Sequence, residues 1–408
     1  MLSFNKKIII IISLVFFPSY IFAITFKKAV LIIDKHPSIS AIKHDANALK
    51  YLSSIKGSTG DPVFSIAAKN FLIKSFRTDK FPMTGLEVGV SKKIPLSTKY
   101  SNQKYAILAK AKAKFLESKN HKQKLLKKLW IFLIQKKRIE KEKFIITKNL
   151  LWIKNMLRVS QKLYSNGKLS QPALFDIQIR KAELETQISN NQFSYNQILN
   201  KIGYLLNFKK QSIISKSIPW NILYKVSAKS IKKDYKKMRL QSLVLENKYN
   251  LTAKKLNYIP DLKLSLSVTK RHKVHPHGDL ISLSASFPLP FSAKKYSQHG
   301  RALQKKYSAI NNLNNYTVKK ERNILLLNNT INKIKKELSI LNKKSIRFAK
   351  SYRTITAKSY TLGRATYVEM LQSELKLQKI SLQKIFLEEK KDTNMLSLKY
   401  ILGEKLYE

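Results

Sequence analysis

The chain has 408 residues, 79 of them basic against 24 acidic, with a formal net charge of +55 at pH 7 and no cysteine. Disulfides and a lipid on an N-terminal cysteine are excluded. So are membrane-spanning helices beyond the first segment, because no later run approaches the ~18 consecutive apolar residues that a span needs.

The basic residues are 68 Lys and only 11 Arg, scattered along the sequence. Nucleic-acid readers favour Arg, whose planar fork binds phosphates and bases bidentately. The charge therefore reads as composition on solvated faces, and no nucleic acid is expected as a partner.

Residues 1–23 have the form of an export signal: Lys6 and Lys7, an apolar run from Ile8 to Phe17, Pro18, and a small residue at Ala23 where cleavage fits. The alternative is an uncleaved N-terminal anchor. Gly and Pro are scarce, at 10 and 11, so long unbroken helices are expected. The first runs from Thr25 to about Ile55 and ends at "GSTGDP". Strands follow at Val63–Phe71 and Leu86–Ile94, around a polar loop with Arg77, Asp79 and Pro82. A helix from about Lys99 to Tyr164 comes next, then a break at "YSNG", then a returning helix from Pro172 to about Leu206.

After a linker at 208–227 the order repeats. A helix is expected from about Ala228 to Leu256, strands at Leu262–Thr269 and Leu280–Phe287, and a long helix from Ala293 to Tyr360. The break "YTLG" precedes a last helix to Leu402. Tyr164 and Tyr360 are 196 residues apart, as are Gly167 and Gly363, and Tyr100 and Tyr296. "YLLN" (Tyr204–Asn207) likewise matches "YILG" (Tyr400–Gly403). A period this long marks two copies of one large unit, residues 24–207 and 228–408. The expected fold is mainly α with a β-barrel portion: each repeat carries a β-hairpin and a long α-helical hairpin.

In the second hairpin Leu262, Leu264, Leu266 and Val268 alternate with polar residues, as do Ile281, Leu283, Ala285 and Phe287. Such alternation fits a half-buried strand in a soluble sheet as well as a lipid-facing one. The export signal and the presence of only four strands favour the membrane, where open edges are not tolerated and several chains would pool their strands. Along the first long helix Leu125, Leu129, Phe132, Leu133 and Ile139 supply a packing stripe for a neighbouring helix. "RHKVHPHGD" places His272, His275 and His277 in the loop between the last two strands; it reads either as a divalent-metal cluster or as a polar surface loop. No nucleophile–base set, phosphate loop or zincin pattern occurs, so neither an enzyme nor a cofactor is expected.

The doubled order, with "YIPDLKLSLSV", "SFPLPF" and "YTLGRATYVEMLQ…YILG", resembles the TolC-like outer-membrane efflux proteins over essentially the whole mature chain. "GKLSQPALFDIQ" with "PLPFSAKK" is similar to the heavy-metal branch. The resemblance implies a homotrimer in outer-membrane lipid, with a twelve-stranded barrel and a periplasmic helical tunnel. It also implies a periplasmic adaptor and an inner-membrane pump as partners.

Gly167 and Gly363 would be the turnarounds at the tunnel tip, with Tyr164, Tyr360, Glu369 and Gln372 around its gate. Of the family's two tip acids, Glu369 is kept and Gln372 replaces the other, while Ala365 stands where some members carry a basic lock. The first repeat has Ala173 and Asp176 at the corresponding places. A ring of three Glu369 carboxylates would act as a weak cation filter. Two other readings stay open: the same architecture serving protein secretion, and a basic coiled-coil scaffold that binds nucleic acid.

Overall fold

The computed structural model describes residues 22–75, 77, 79, 81, 83–208, 212–214, 218–224, 233–271 and 278–407. Most of the expected export signal and the loop with His272, His275 and His277 lie outside the described residues. The chain forms two compact units, one from residues 1–32 with 135–220 and one from residues 33–134 with 221–408.

In the first unit a short strand β1 (Phe22–Ile24) pairs in parallel with β4 (Ser212–Ile214). Helix α3 (Lys99–Ser165) has 67 residues, roughly 100 Å at ~1.5 Å per residue, and its second half belongs here. It returns as α4 (Gln171–Leu205), which buries Ala173, Ile177, Arg180 and Leu184. That spacing of four, three and four residues is one helix stripe, the only way so thin a hairpin can build a core. Asn191 is buried on the same helix and donates to the Ile139 carbonyl at 3.1 Å, fixing the register of the two helices.

The expected helix from Thr25 to Ile55 is two helices, α1 (Phe26–Asp34) and α2 (Pro37–Gly57). Pro37 lacks the N–H that would continue the ladder, so it starts a new helix, with the His36 ring accepting from the Ser38 N–H.

The second unit holds the sheet: β2 (Val63–Lys69), β3 (Gly85–Pro95), β5 (Asp261–Arg271) and β6 (Leu280–Ser286). All pairs are antiparallel, in the order β2-β3-β5-β6. The central strands β3 and β5 pair over eleven residues, roughly 36 Å at ~3.3 Å each. Each expected strand ends within two residues of an observed one.

The same unit holds α5 (Asn221–Tyr224), α6 (Tyr235–Lys255), α7 (Ala293–Ile340), α8 (Ile346–Thr361) and α9 (Tyr367–Leu402), with α6 packed on α7 and α9 on both α7 and α8. Of the helix expected from Ala228, residues 228–232 lie outside the described residues; α6 begins at Tyr235, where the Asp234 carboxylate accepts the Lys237 N–H and caps it. The expected unbroken helix from Ala293 to Tyr360 is divided by a π turn at Leu341–Ser345, which inserts a wider coil where Leu341 packs with Ile334, Leu338 and Leu387. Leu125, Leu129 and Leu133 of the stripe are buried, and fully buried Trp130 donates from Nε1 to the Leu406 carbonyl at 2.8 Å. Phe132 is only half-buried. Among the described residues no helix is long and apolar enough to cross a membrane.

Candidate functional site

Two parts of the molecule carry the sequence-predicted residues: the sheet and the helix turnarounds. Because strand residues alternate between faces, the register assigns every side chain. Phe64, Val90, Leu266 and Leu283 form one cross-strand row, and Ile66, Val88, Val268 and Ile281 the next. All eight are exposed, up to 77% at Leu283. Leu262, Leu264 and Ala285 extend the same face, and Phe287 lies one residue past the end of β6. Lys92 and Lys270 bracket this apolar band on β3 and β5.

The opposite face carries Ser65, Ser91, Ser265, Ser267, Ser282 and Ser284. Exposed apolar rows this large on a sheet that is polar on its other side mark contact with lipid or a partner. The poor alternation of Val63–Phe71 has a simple cause: Val63 and Ala67 sit on the serine face, while Phe64, Ile66 and Ala68 still keep the period.

At the root of the sheet Asp261 receives Lys99 at 2.8 Å and the Tyr100 hydroxyl at 2.7 Å. Burial, together with this carboxylate, pushes the Tyr100 hydroxyl up to about 12. The contact fixes the first helix of one hairpin to the first residue of a strand 161 positions later. Sequence reasoning missed it, because periodicity carries no information about such distant pairs.

Both turnarounds close in the same way. Gly167 has φ +68° and Gly363 φ +70°, a left-handed conformation open to Gly at little cost. Gly167 donates to the Tyr164 carbonyl and Lys168 to that of Leu163; Gly363 donates to Tyr360 and Arg364 to Ser359. Each is the paired bond set of a Schellman cap, which satisfies the last carbonyls of a helix before the chain reverses.

The surroundings differ. Tyr164 is 43% exposed and Tyr360 only 5%. Ser170 precedes α4 without a side-chain cap bond, while Thr366 and Glu369 form a complete capping box on α9. The Thr366 amide donates to the Glu369 carboxylate at 2.8 Å, and the Glu369 amide to the Thr366 hydroxyl at 3.2 Å. The bonds from the Thr366 amide and hydroxyl hold the Glu369 carboxyl below its usual range, so it is a fixed negative charge. The T-x-x-E spacing that announces such a box stood in the sequence, beside the role the resemblance implied for Glu369.

Gln372 is exposed, and nearby Glu374 is almost fully buried with Arg353 at 3.4 Å from α8. This ion pair was not foreseen. The first repeat places Leu157 and Gln178 at the corresponding positions.

No family model and no curated protein matches the sequence. Solved structures do. The outer membrane protein VceC of Vibrio cholerae is 14% identical, with TM-score 0.76, over 93% of this chain and 96% of its own. CusC, whose crystal structures describe folding and transmembrane channel formation, is 12% identical with TM-score 0.77, over 93% and 92%. The CmeC outer membrane channel of Campylobacter jejuni is 13% identical with TM-score 0.74, over 94% and 86%. The amphipathic four-stranded sheet and the paired long helical hairpins are thus the fold of the TolC-type outer-membrane channels.

Proposed function

We propose that three copies of this chain form a channel in a bacterial outer membrane, an exit duct for solutes delivered from the periplasmic side. One observation carries the reading: a four-stranded sheet with eight large apolar side chains exposed on one face and a serine-rich opposite face. Such a sheet has two open edges, at β2 and β6, which lipid does not tolerate. Pooling three sheets would give twelve strands, above the ~8 at which known membrane barrels begin. The apolar rows would then meet lipid and the serines would line water.

The long hairpins of the homotrimer would extend into the periplasm, where the turnarounds at Gly167 and Gly363 meet a periplasmic adaptor of an inner-membrane pump. Energy is spent at that pump, and the duct itself is passive. In this reading Tyr360, Gln372 and the fixed charge of Glu369 belong to the gate at the tip. A Glu369→Gln channel with unchanged conductance and cation selectivity would remove the acid from that role.

The test of the whole reading is fractionation followed by bilayer recording. An SDS-resistant trimer in the outer-membrane fraction, conducting ions in a planar bilayer, is expected. A soluble chain that elutes from nucleic acid with salt would replace this account with the basic-scaffold reading.

A further inference from the structure

The serine face is not electrically neutral. Lys93 of β3 and Lys263 of β5 are direct cross-strand partners on it, both exposed, one step from the root of the sheet. Like charges placed opposite each other on neighbouring strands destabilise a sheet. A carboxylate between them would remove that cost, but among the described residues neither lysine makes an ion pair.

The acids that share the face are engaged elsewhere. Asp261 holds Lys99 and Tyr100, and Glu87 holds Lys69 and the Thr269 hydroxyl. Near the far end the Arg271 amide donates to Asp279 at 3.0 Å. Around the lysine pair the register sets hydroxyls: Ser286 faces Lys263, and Ser91, Ser265 and Ser284 form the adjoining row. Two unpaired ammonium groups above a row of hydroxyl donors form a surface that attracts anions and offers no oxygen-rich cage to a metal cation.

We propose that Lys93 and Lys263 set the charge selectivity of the barrel in favour of anionic solutes. This rests on the channel reading above, in which the serine face lines the lumen. A trimer would then carry six such lysines in one ring at the helix end of the barrel, in the manner of the charged rings that select ions in pores. The ring is separate from Glu369, whose charge belongs to the turnaround. At this ring an anionic solute, or a metal carried as an anionic complex, would be favoured over a free cation.

The absence of cysteine makes the local potential measurable. Ser265→Cys, two residues from Lys263 on the same face, is placed in the trimer reconstituted in vesicles. It is then treated with water-soluble thiosulfonates of opposite charge. The anionic reagent is expected to react faster, and the Lys93→Gln/Lys263→Gln pair to lower the anion-to-cation rate ratio about fivefold at physiological salt. At 1 M salt, where the screening length falls to about 3 Å, that difference should vanish.

Lys92→Gln is the control, removing the same charge one residue away on the apolar face, and should leave the ratio unchanged. A ratio indifferent to the double substitution, or equally changed by Lys92→Gln, overturns the proposal. If Ser265→Cys resists both reagents while Leu266→Cys accepts them, the channel reading itself is wrong and the inference falls with it.

Discussion

The two repeats end their helices with the same backbone and defend those ends with different side chains. Asn207 closes α4 at φ +58° and Gly403 closes α9 at φ +77°, each through the same pair of carbonyl contacts. At Gly403 the chain runs against Lys233: a Cβ there would lie 2.8 Å from the Lys233 carbonyl carbon, and the Lys233 amide donates to the Gly403 oxygen at 2.9 Å. Glycine is therefore needed for space at one end, and only for conformation at the other, where Asn suffices. The second repeat also has the capping box and the Arg353–Glu374 pair; in the first, Ser170 makes no cap bond and Leu157 and Gln178 stand at the places of the ion pair. The two halves thus share their turns and differ in the side chains around them.

The comparison can be broken at its strongest point first. Gly403→Ala adds both a clash and a left-handed alanine and should cost on the order of 3 kcal/mol, read as a lower melting temperature. Asn207→Gly should change stability by less than about 0.5 kcal/mol. Arg353→Met removes the cation 3.4 Å from the buried Glu374 carboxylate and should cost about 2 kcal/mol, whereas Leu157→Met in the first repeat should cost less than about 1.5. Equal losses in the two halves would remove the asymmetry.

A third test uses pH. Burial raises the Asp234 carboxyl, but bonds from Lys320, the Lys237 amide and Tyr316 outweigh it and hold it below the ordinary value of 3.8. A carboxyl lowered on folding stabilises above its unfolded pKa and loses that contribution as pH falls through the folded one. The α6 root should therefore keep its amide-exchange protection down to about pH 4 and lose it below. In Asp234→Asn that acid step should be absent. Smallest of all, Thr366→Ala should cost about 1 kcal/mol, and Ser170→Ala close to nothing because Ser170 makes no cap bond.

Much of this architecture was legible in the sequence. Alternation located the strands, and the 196-residue period located both turnarounds, because glycine is the usual residue where a helix ends in a left-handed conformation. The errors have identifiable causes. Pro37 divides the first helix although helical periodicity runs across it, since proline removes a donor without disturbing the pattern. The π turn at Leu341–Ser345 has no breaker residue, so only packing against Leu387 distinguishes it. Asp261 with Lys99, and Arg353 with Glu374, depend on strand register and helix pairing, neither of which a single sequence displays. The capping role of Glu369 was readable from Thr366 three residues earlier.

The central claim is that one face of the sheet meets lipid and the other meets water, and β6 tests it most directly. Single cysteines at Ile281, Ser282, Leu283 and Ser284, placed in the cysteine-free chain and reconstituted in vesicles, can be labelled with a membrane-impermeant maleimide. A fluorophore at the same positions can be probed with brominated lipid. The account predicts strict alternation: Ser282 and Ser284 react from water, and Ile281 and Leu283 are quenched only by lipid. Equal labelling of all four, or alternation of the opposite sense, would contradict it.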